Sequence, residues 1–281
     1  MSSERPDKAL VDEIDALVER LKALHDEQGR KVAKKLKRTR KGREPIAALA
    51  ELGLPPPEDL RAFYWNWNGA FGGMTMWEET VFLNFAWSQA RIVHDGARIA
   101  QIEEGFYAQQ GINLSLSTRG EMMTIFPDRA GEAGTGPLEI TQPWSATTYP
   151  AFDGIVAMLR SVVAAQEAGL VTYAPERVDG PDGTIEVEKG EPVFDPAALW
   201  QVIAPLNPRT AAGGAYWPAL AAGEIAFDGT PPDISEGITM KPEVVEIVFR
   251  DAIEQKKRWD EEFASGLRDP VTGRKIKKPD G

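Results

Sequence analysis

The chain of 281 residues contains no cysteine and only two histidines, His25 and His94. Without cysteine there can be no disulfide, no thiolate nucleophile and no cysteine zinc site. The two histidines lie far apart in the sequence and form neither His-x-His nor His-Glu-x-x-His. A metal centre built on several imidazoles is therefore not expected. No Gly-x-Ser-x-Gly elbow is present, which leaves the common serine-hydrolase arrangement without an anchor. The glycine-rich stretch 131–136 lacks the Lys-Ser/Thr ending of a phosphate loop and reads as a turn. The acids of 179–191 miss the alternating spacing of a calcium loop. No apolar run is long enough to span a bilayer. Met1-Ser2-Ser3-Glu4-Arg5-Pro6-Asp7 is polar and has no apolar stretch after it, so a secretory leader is not expected and a cytoplasmic location is. No cofactor and no metal are expected.

Acids are abundant: 43 Asp and Glu face 32 Lys and Arg, a net charge of −11. The bases are unevenly placed. Nine of them (Arg30, Lys31, Lys34, Lys35, Lys37, Arg38, Arg40, Lys41 and Arg43) fall in one acid-free run. The remaining 23 bases (32 − 9) meet all 43 acids, so the rest of the chain carries −20. Such a body attracts basic partners and repels nucleic acid. The run has no aromatics for base stacking. It reads as a solvated face or arm, or as a segment docked on the acidic body, with an anionic partner as the third reading.

Residues 7–28 read as a helix. Leu10, Ile14, Leu17, Leu21 and Leu24 recur at spacings of 4, 3, 4 and 3, making one apolar stripe. That stripe can pack on the body or form a homodimer seam. His25 is expected at the surface near the helix end. Residues 45–53 read as a second short helix. The most informative segment follows. Pro55-Pro56-Pro57 can open a helix, and Leu60, Phe63, Tyr64 and Trp67 share one of its faces. Asn68-Gly69 supplies residues that tolerate φ > 0 and end it. From Gly72 to about Ile140 short apolar runs read as a mostly antiparallel sheet: 80–83, 90–93, 112–116, 122–126 and 138–140. Segment 88–110 can instead hold a helix. His94 is expected at a strand end. A helix from about 152 to 167 ends at Gly169, and 175–192 read as a hairpin around Gly180-Pro181-Asp182-Gly183. Asp195-Pro196 opens a short helix. Residues 205–242 read as extended chain anchored by Tyr216, Trp217 and Phe227. Pro242 opens a last helix before a polar tail, 268–281.

The order of features in 44–172 resembles the SUKH superfamily. A Leu54-Pro55 pair opens a short helix that closes on Asn68-Gly69. Strands follow Gly72-Gly73, and a final helix follows Tyr149-Pro150 with Phe152 at its start. The resemblance implies a compact α+β unit, a central mostly antiparallel sheet flanked by helices, with residues 1–43 as a charged helical arm and 173–281 as a C-terminal extension. It also implies a non-enzymatic interaction protein, most often an immunity protein that neutralises a toxin of a competing bacterium, and otherwise a cytoplasmic scaffold or regulator. A basic toxin domain is then the expected partner, met by an acidic surface.

Six residues stand out as candidates for binding it. Trp65 lies off the face that holds Tyr64 and Trp67, and tryptophans dominate binding hot spots. Glu78, Glu79, Glu103, Glu104 and Asp128 flank the expected sheet. Glu78-Glu79 and Glu103-Glu104 are also the only basis for a third reading, a hydrolase with a carboxylate pair, but adjacent carboxylates point apart. Trp65, Trp67, Trp77 and Trp87 read mainly as core. The charge balance leads to a first prediction. Filter binding with duplex DNA at near-physiological salt should show no submicromolar affinity that depends on residues 30–43; finding one would overturn the expectation that nucleic acid is not the partner.

Overall fold

The computed structural model describes residues 5–30, 36–69, 80–83, 85–102, 111–117, 121–130, 134–142, 147–179 and 185–225, together with Glu243, Ile247, Lys257, Glu261 and Ser265. The chain divides into two compact units. The larger comprises 1–98 and 109–233. The smaller comprises 99–108 and 234–281, where the described positions Glu243, Ile247, Lys257 and Glu261 are helical and Ile247 is buried.

The larger unit is α+β. Its helix α1 (Lys8–Glu27) is capped by Asp7, whose carboxylate accepts the Leu10 N–H at 3.0 Å. Val11, Ile14, Val18, Leu21 and Leu24 are buried, while Leu10 and Leu17 of the expected stripe are only partly buried, and the helix packs on α3 (Glu58–Asn66) and α5 (Ile155–Glu167). The buried part of the stripe is thus covered within one chain. Although 1–43 reads as an arm by its charge, the helix is part of the core. After α2 (Arg43–Ala48) and a 3-10 turn over 49–52, Gly53 takes φ +73° and the chain reaches α3 (Glu58–Asn66).

Leu60, Phe63, Tyr64 and Trp67 are fully buried, in agreement with their shared face. The Phe63 ring lies 4.9 Å from that of Trp87, and Tyr64 donates its hydroxyl to the Ser88 carbonyl at 2.6 Å. Both contacts seat α3 on the strand Phe85–Trp87 and the residue after it. Trp67 has already left the helix for extended backbone. Gly69 then takes φ +58°, and a Cβ there would lie 2.2 Å from the Ser88 oxygen, so only glycine fits. Asn68 accepts the Ala90 N–H at 3.0 Å and so caps the start of α4 (Ala90–Ile102). The Asn-Gly pair therefore joins the exit of one helix to the entrance of another.

Six strands form one antiparallel sheet in chain order: β1 (Thr80–Phe82), β2 (Phe85–Trp87), β3 (Ile112–Ser117), β4 (Met122–Ile125), β5 (Leu138–Thr141) and β6 (Thr148–Phe152). Helix α5 (Ile155–Glu167) follows β6 and ends at Gly169, φ +69°. Strands β7 (Thr172–Asp179) and β8 (Ile185–Val193) pair with each other in a separate two-stranded sheet. Helices α6 (Pro196–Ile203), α7 (Pro208–Ala211) and α8 (Tyr216–Ala221) complete the described part.

Several expectations need correction. Residues 90–93 are helical rather than a strand, as the second reading of segment 88–110 allows: buried Ala90, Val93 and Ala97 follow helical spacing, and the cap comes from distant Asn68. His94 therefore lies within a helix, half-buried beside Asp95 at 3.5 Å. Tyr149, Pro150 and Phe152 belong to β6 rather than to the helix; β6 is an edge strand, where a proline without N–H is tolerated. The described part of 205–242 holds the short helices α7 and α8 instead of extended chain, each too short to show a period. Tyr216 and Trp217 are buried anchors as expected: Trp217 stacks with Phe152 at 5.7 Å and donates to the Ala151 carbonyl at 3.3 Å. Phe227 and Trp77 lie outside the described residues. Replacing Trp67 by alanine should lower the unfolding free energy by ~3–5 kcal/mol, the range for large aromatic truncations in a core. Urea denaturation of the two proteins checks it; a loss below 1 kcal/mol would contradict full burial of the ring.

Candidate interaction surfaces

Of the six candidate binding residues, the structure describes two. Glu78, Glu79, Glu103 and Glu104 lie outside the described residues. Trp65 is half-buried on α3. The Arg43 guanidinium lies over its ring at 3.7 Å, and Arg43 Nε donates to the Trp65 carbonyl at 2.7 Å. One ring face is thus covered by the chain's own cation. Asp128 is exposed in a 3-10 turn, Pro127–Arg129. Its neighbour Arg129 pairs with Glu139 and stacks on Phe126 at 4.2 Å. No described contact brings Trp65 and Asp128 together.

Of the basic run, Arg30 and residues 36–43 are described and are held by contacts that their charge does not suggest; Lys31, Lys34 and Lys35 lie outside the described residues. Arg30 is buried, with its guanidinium 3.8 Å from the centre of the Tyr173 ring. Burial holds the Arg30 pKa below its ordinary value, and Tyr173 partly offsets this; burial likewise raises the Tyr173 hydroxyl. Arg30 Nη1 lies 3.2 Å from His25 Nδ1. His25 is fully buried, contrary to the surface position expected. It stands four residues after Leu21 and so falls on the apolar stripe of α1. Arginine can only donate, so this contact makes Nδ1 the acceptor and leaves the ring hydrogen on Nε2.

Further along, Leu36 is buried, and residues 38–43 are fastened to the end of α3. Arg38 bridges to Trp67 in the backbone, and Thr39 N–H donates to the Asn66 carbonyl at 2.7 Å. Gly42 fits so closely that a Cβ would lie 3.0 Å from Tyr64 and from the Trp67 carbonyl. The Arg38 guanidinium forms an ion pair with Asp15. Asp15 also accepts from Asn66 Nδ2 at 2.9 Å and from Trp67 Nε1 at 2.8 Å. Docking of the run on acids of the body, one of the three sequence readings, thus describes this part. Exposed Lys37, Arg40 and Lys41 face outward, without a carboxylate partner among the described residues. Burial lowers the Arg43 pKa, with Arg40 and then Arg5 adding repulsion.

Two buried acids were not singled out by sequence reasoning. Glu121 accepts the Tyr216 hydroxyl at 2.7 Å and the Ser117 hydroxyl at 3.1 Å, tying the β3–β4 hairpin to α8. Asp59, in the first turn of α3, accepts the Leu60 N–H and, through Oδ2, the Ile155 N–H that opens α5, each at 2.9 Å. An acid at a helix start is an ordinary sequence signal. That Asp59 also serves a helix 96 residues away has no local signature.

The chain matches no protein-family model and no curated protein. No helix among the described residues is long and apolar enough to cross a membrane.

Burial lifts the Asp59 carboxyl from 3.8 to about 6, against the pull of backbone donors from Ile155, Gly136 and Leu60. A raised pKa means that the proton-linked stabilisation is complete below the unfolded value and is lost as pH rises through about 6. Asp59→Asn has no such proton. From pH 7.5 to 4.5, the stability advantage of the natural protein over this variant should grow by about 2 kcal/mol. Paired denaturant titrations at the two pH values measure it. An advantage that does not change with pH would contradict the shift.

Proposed function

We propose that this protein is a non-enzymatic binding module of SUKH-like architecture, an immunity-type inhibitor that covers the active site of a basic toxin domain in the cytoplasm with an acidic surface. A helix closed by Asn-Gly, then an antiparallel sheet, then a helix: this order is consistent with that resemblance. The observation that carries it is the charge balance: 43 Asp and Glu face 32 Lys and Arg, and outside residues 30–43 the chain carries −20, which favours a basic partner. Meanwhile Arg20, Arg38, Arg129, Arg160 and Arg209 are each taken up by carboxylates of the chain itself.

A second reading is a scaffold or regulator of the same fold that makes contact through its basic run. It is favoured by the outward-facing Lys37, Arg40 and Lys41. Co-expression with the product of the neighbouring gene separates the two. Rescue of growth from a toxic product is expected for the inhibitor and not for the scaffold. With that product purified, stopped-flow association should slow on the order of tenfold as salt rises from low to physiological levels. Reversing Glu78, Glu79, Glu103, Glu104 and Asp128 to lysine should slow it comparably at low salt. Rescue without salt dependence, with the reversals harmless, would remove the acidic face from the mechanism.

A further inference from the structure

We infer that the loop 37–43, with Trp65 beside it, is a second interaction surface of opposite sign that receives a compact phosphate dianion presented on a partner protein's side chain. The geometry of the loop leads there. Its backbone is fixed before any ligand arrives. Thr39 bonds to Asn66, Arg38 pairs with Trp67, Gly42 packs on α3, and Arg43 is held by the Trp65 carbonyl and ring. A fixed loop does not lose backbone freedom on binding, which is the main cost that preorganisation removes.

The cations on this loop fall into two groups. Arg38 is neutralised by Asp15, with Glu19 at 4.0 Å. Lys37, Arg40 and Lys41 are exposed and meet no carboxylate among the described residues, although acids outnumber bases 43 to 32 in the chain. Arg43 is the fourth cation of the group, and Arg40 lies one turn from it, its carbonyl accepting the Arg43 N–H at 3.3 Å. Burial lowers the Arg43 pKa, and repulsion from Arg40 and Arg5 adds to it. Several cations on one short loop match a dianion better than a single carboxylate, and planar guanidinium groups are suited to phosphate oxygens. Half-buried Trp65 offers apolar contact to residues flanking a phosphorylated side chain. A long polyanion is disfavoured, since it would extend from the loop over a body that carries −20 outside residues 30–43.

Calorimetric titration of the full chain tests this with three probes: inorganic phosphate, acetate, and a neutral peptide carrying one phosphoserine. Millimolar or tighter binding of phosphate is expected, with acetate at least tenfold weaker and the phosphopeptide at least tenfold tighter than phosphate. The double variant Arg40→Glu/Lys41→Glu, both exposed positions, should lose at least tenfold in affinity for the phosphopeptide. Arg98→Glu, an exposed change of the same sign elsewhere, should bind as the natural protein does. Circular dichroism confirms that the variants fold. The inference is overturned by any of four results: no heat with phosphate or phosphopeptide at 10 mM probe, acetate equal to phosphate, equal losses in Arg98→Glu, or a phosphopeptide no tighter than free phosphate. Duplex DNA that binds more tightly than the phosphopeptide and is lost in the double variant would overturn it in favour of nucleic acid.

Discussion

One buried carboxylate holds the larger unit together. Asp59 sits at the start of α3 and satisfies the first N–H of α5 along with donors in its own turn and in the loop before β5. A helix N-terminus leaves backbone donors without partners, and burying them unsatisfied is costly. Here α5 begins after Gly154, whose side offers no cap, so the acceptor has to come from another element. The position of α5 over the sheet is thereby linked to that of α3. Since α1 packs on both, its place is fixed as well. The carboxylate resists ionisation because it is dry, yet its donors are arranged for an anion. The same contact that locks the helices therefore makes their union weaken as the pH rises through about 6.

A second junction works alongside it. Asp15 gathers Arg38, Asn66 and the Trp67 indole at the opposite end of α3. An acid on the margin of an apolar stripe thus binds the basic run back to the body. This is how a chain with nine positive residues in fourteen positions keeps part of that run against itself. The cations that remain outward are those beyond the reach of Asp15 and Glu19.

Elements with many periodic positions were legible in the sequence: the stripe of α1, the face of α3, the helix before Gly169 and the hairpin over 175–192. So was the α+β class. What failed did so where the deciding group is remote. Residues 90–93 resemble a strand because Ile92 and Val93 are β-branched, and the cap that makes them helical is Asn68. Tyr149 and Pro150 look like a helix opening until β5 is placed beside them. The helices α7 and α8 have too few turns for any pattern. At the candidate surfaces, Trp65 was legible as the tryptophan off the buried face, but its Arg43 cover was not, since cation and ring are 22 positions apart. The buried charge network of Arg30, His25 and Tyr173 was hidden for the same reason: its members come from the end of one helix, a connecting turn and the first strand of the ribbon.

The packing of α1 on α5 also determines when the chain can fold. Residues 8–27 are made well before residues 155–167, yet part of their apolar stripe finds its cover only there. At a synthesis rate of about 5–20 residues per second, the intervening stretch takes several seconds to tens of seconds to emerge. Throughout that interval the ribosome displays an amphipathic helix with an open apolar side, followed by a strongly cationic segment. Nascent chains of this protein are therefore natural clients for holding chaperones, and a truncation before α5 would leave a product prone to aggregation rather than a smaller folded protein.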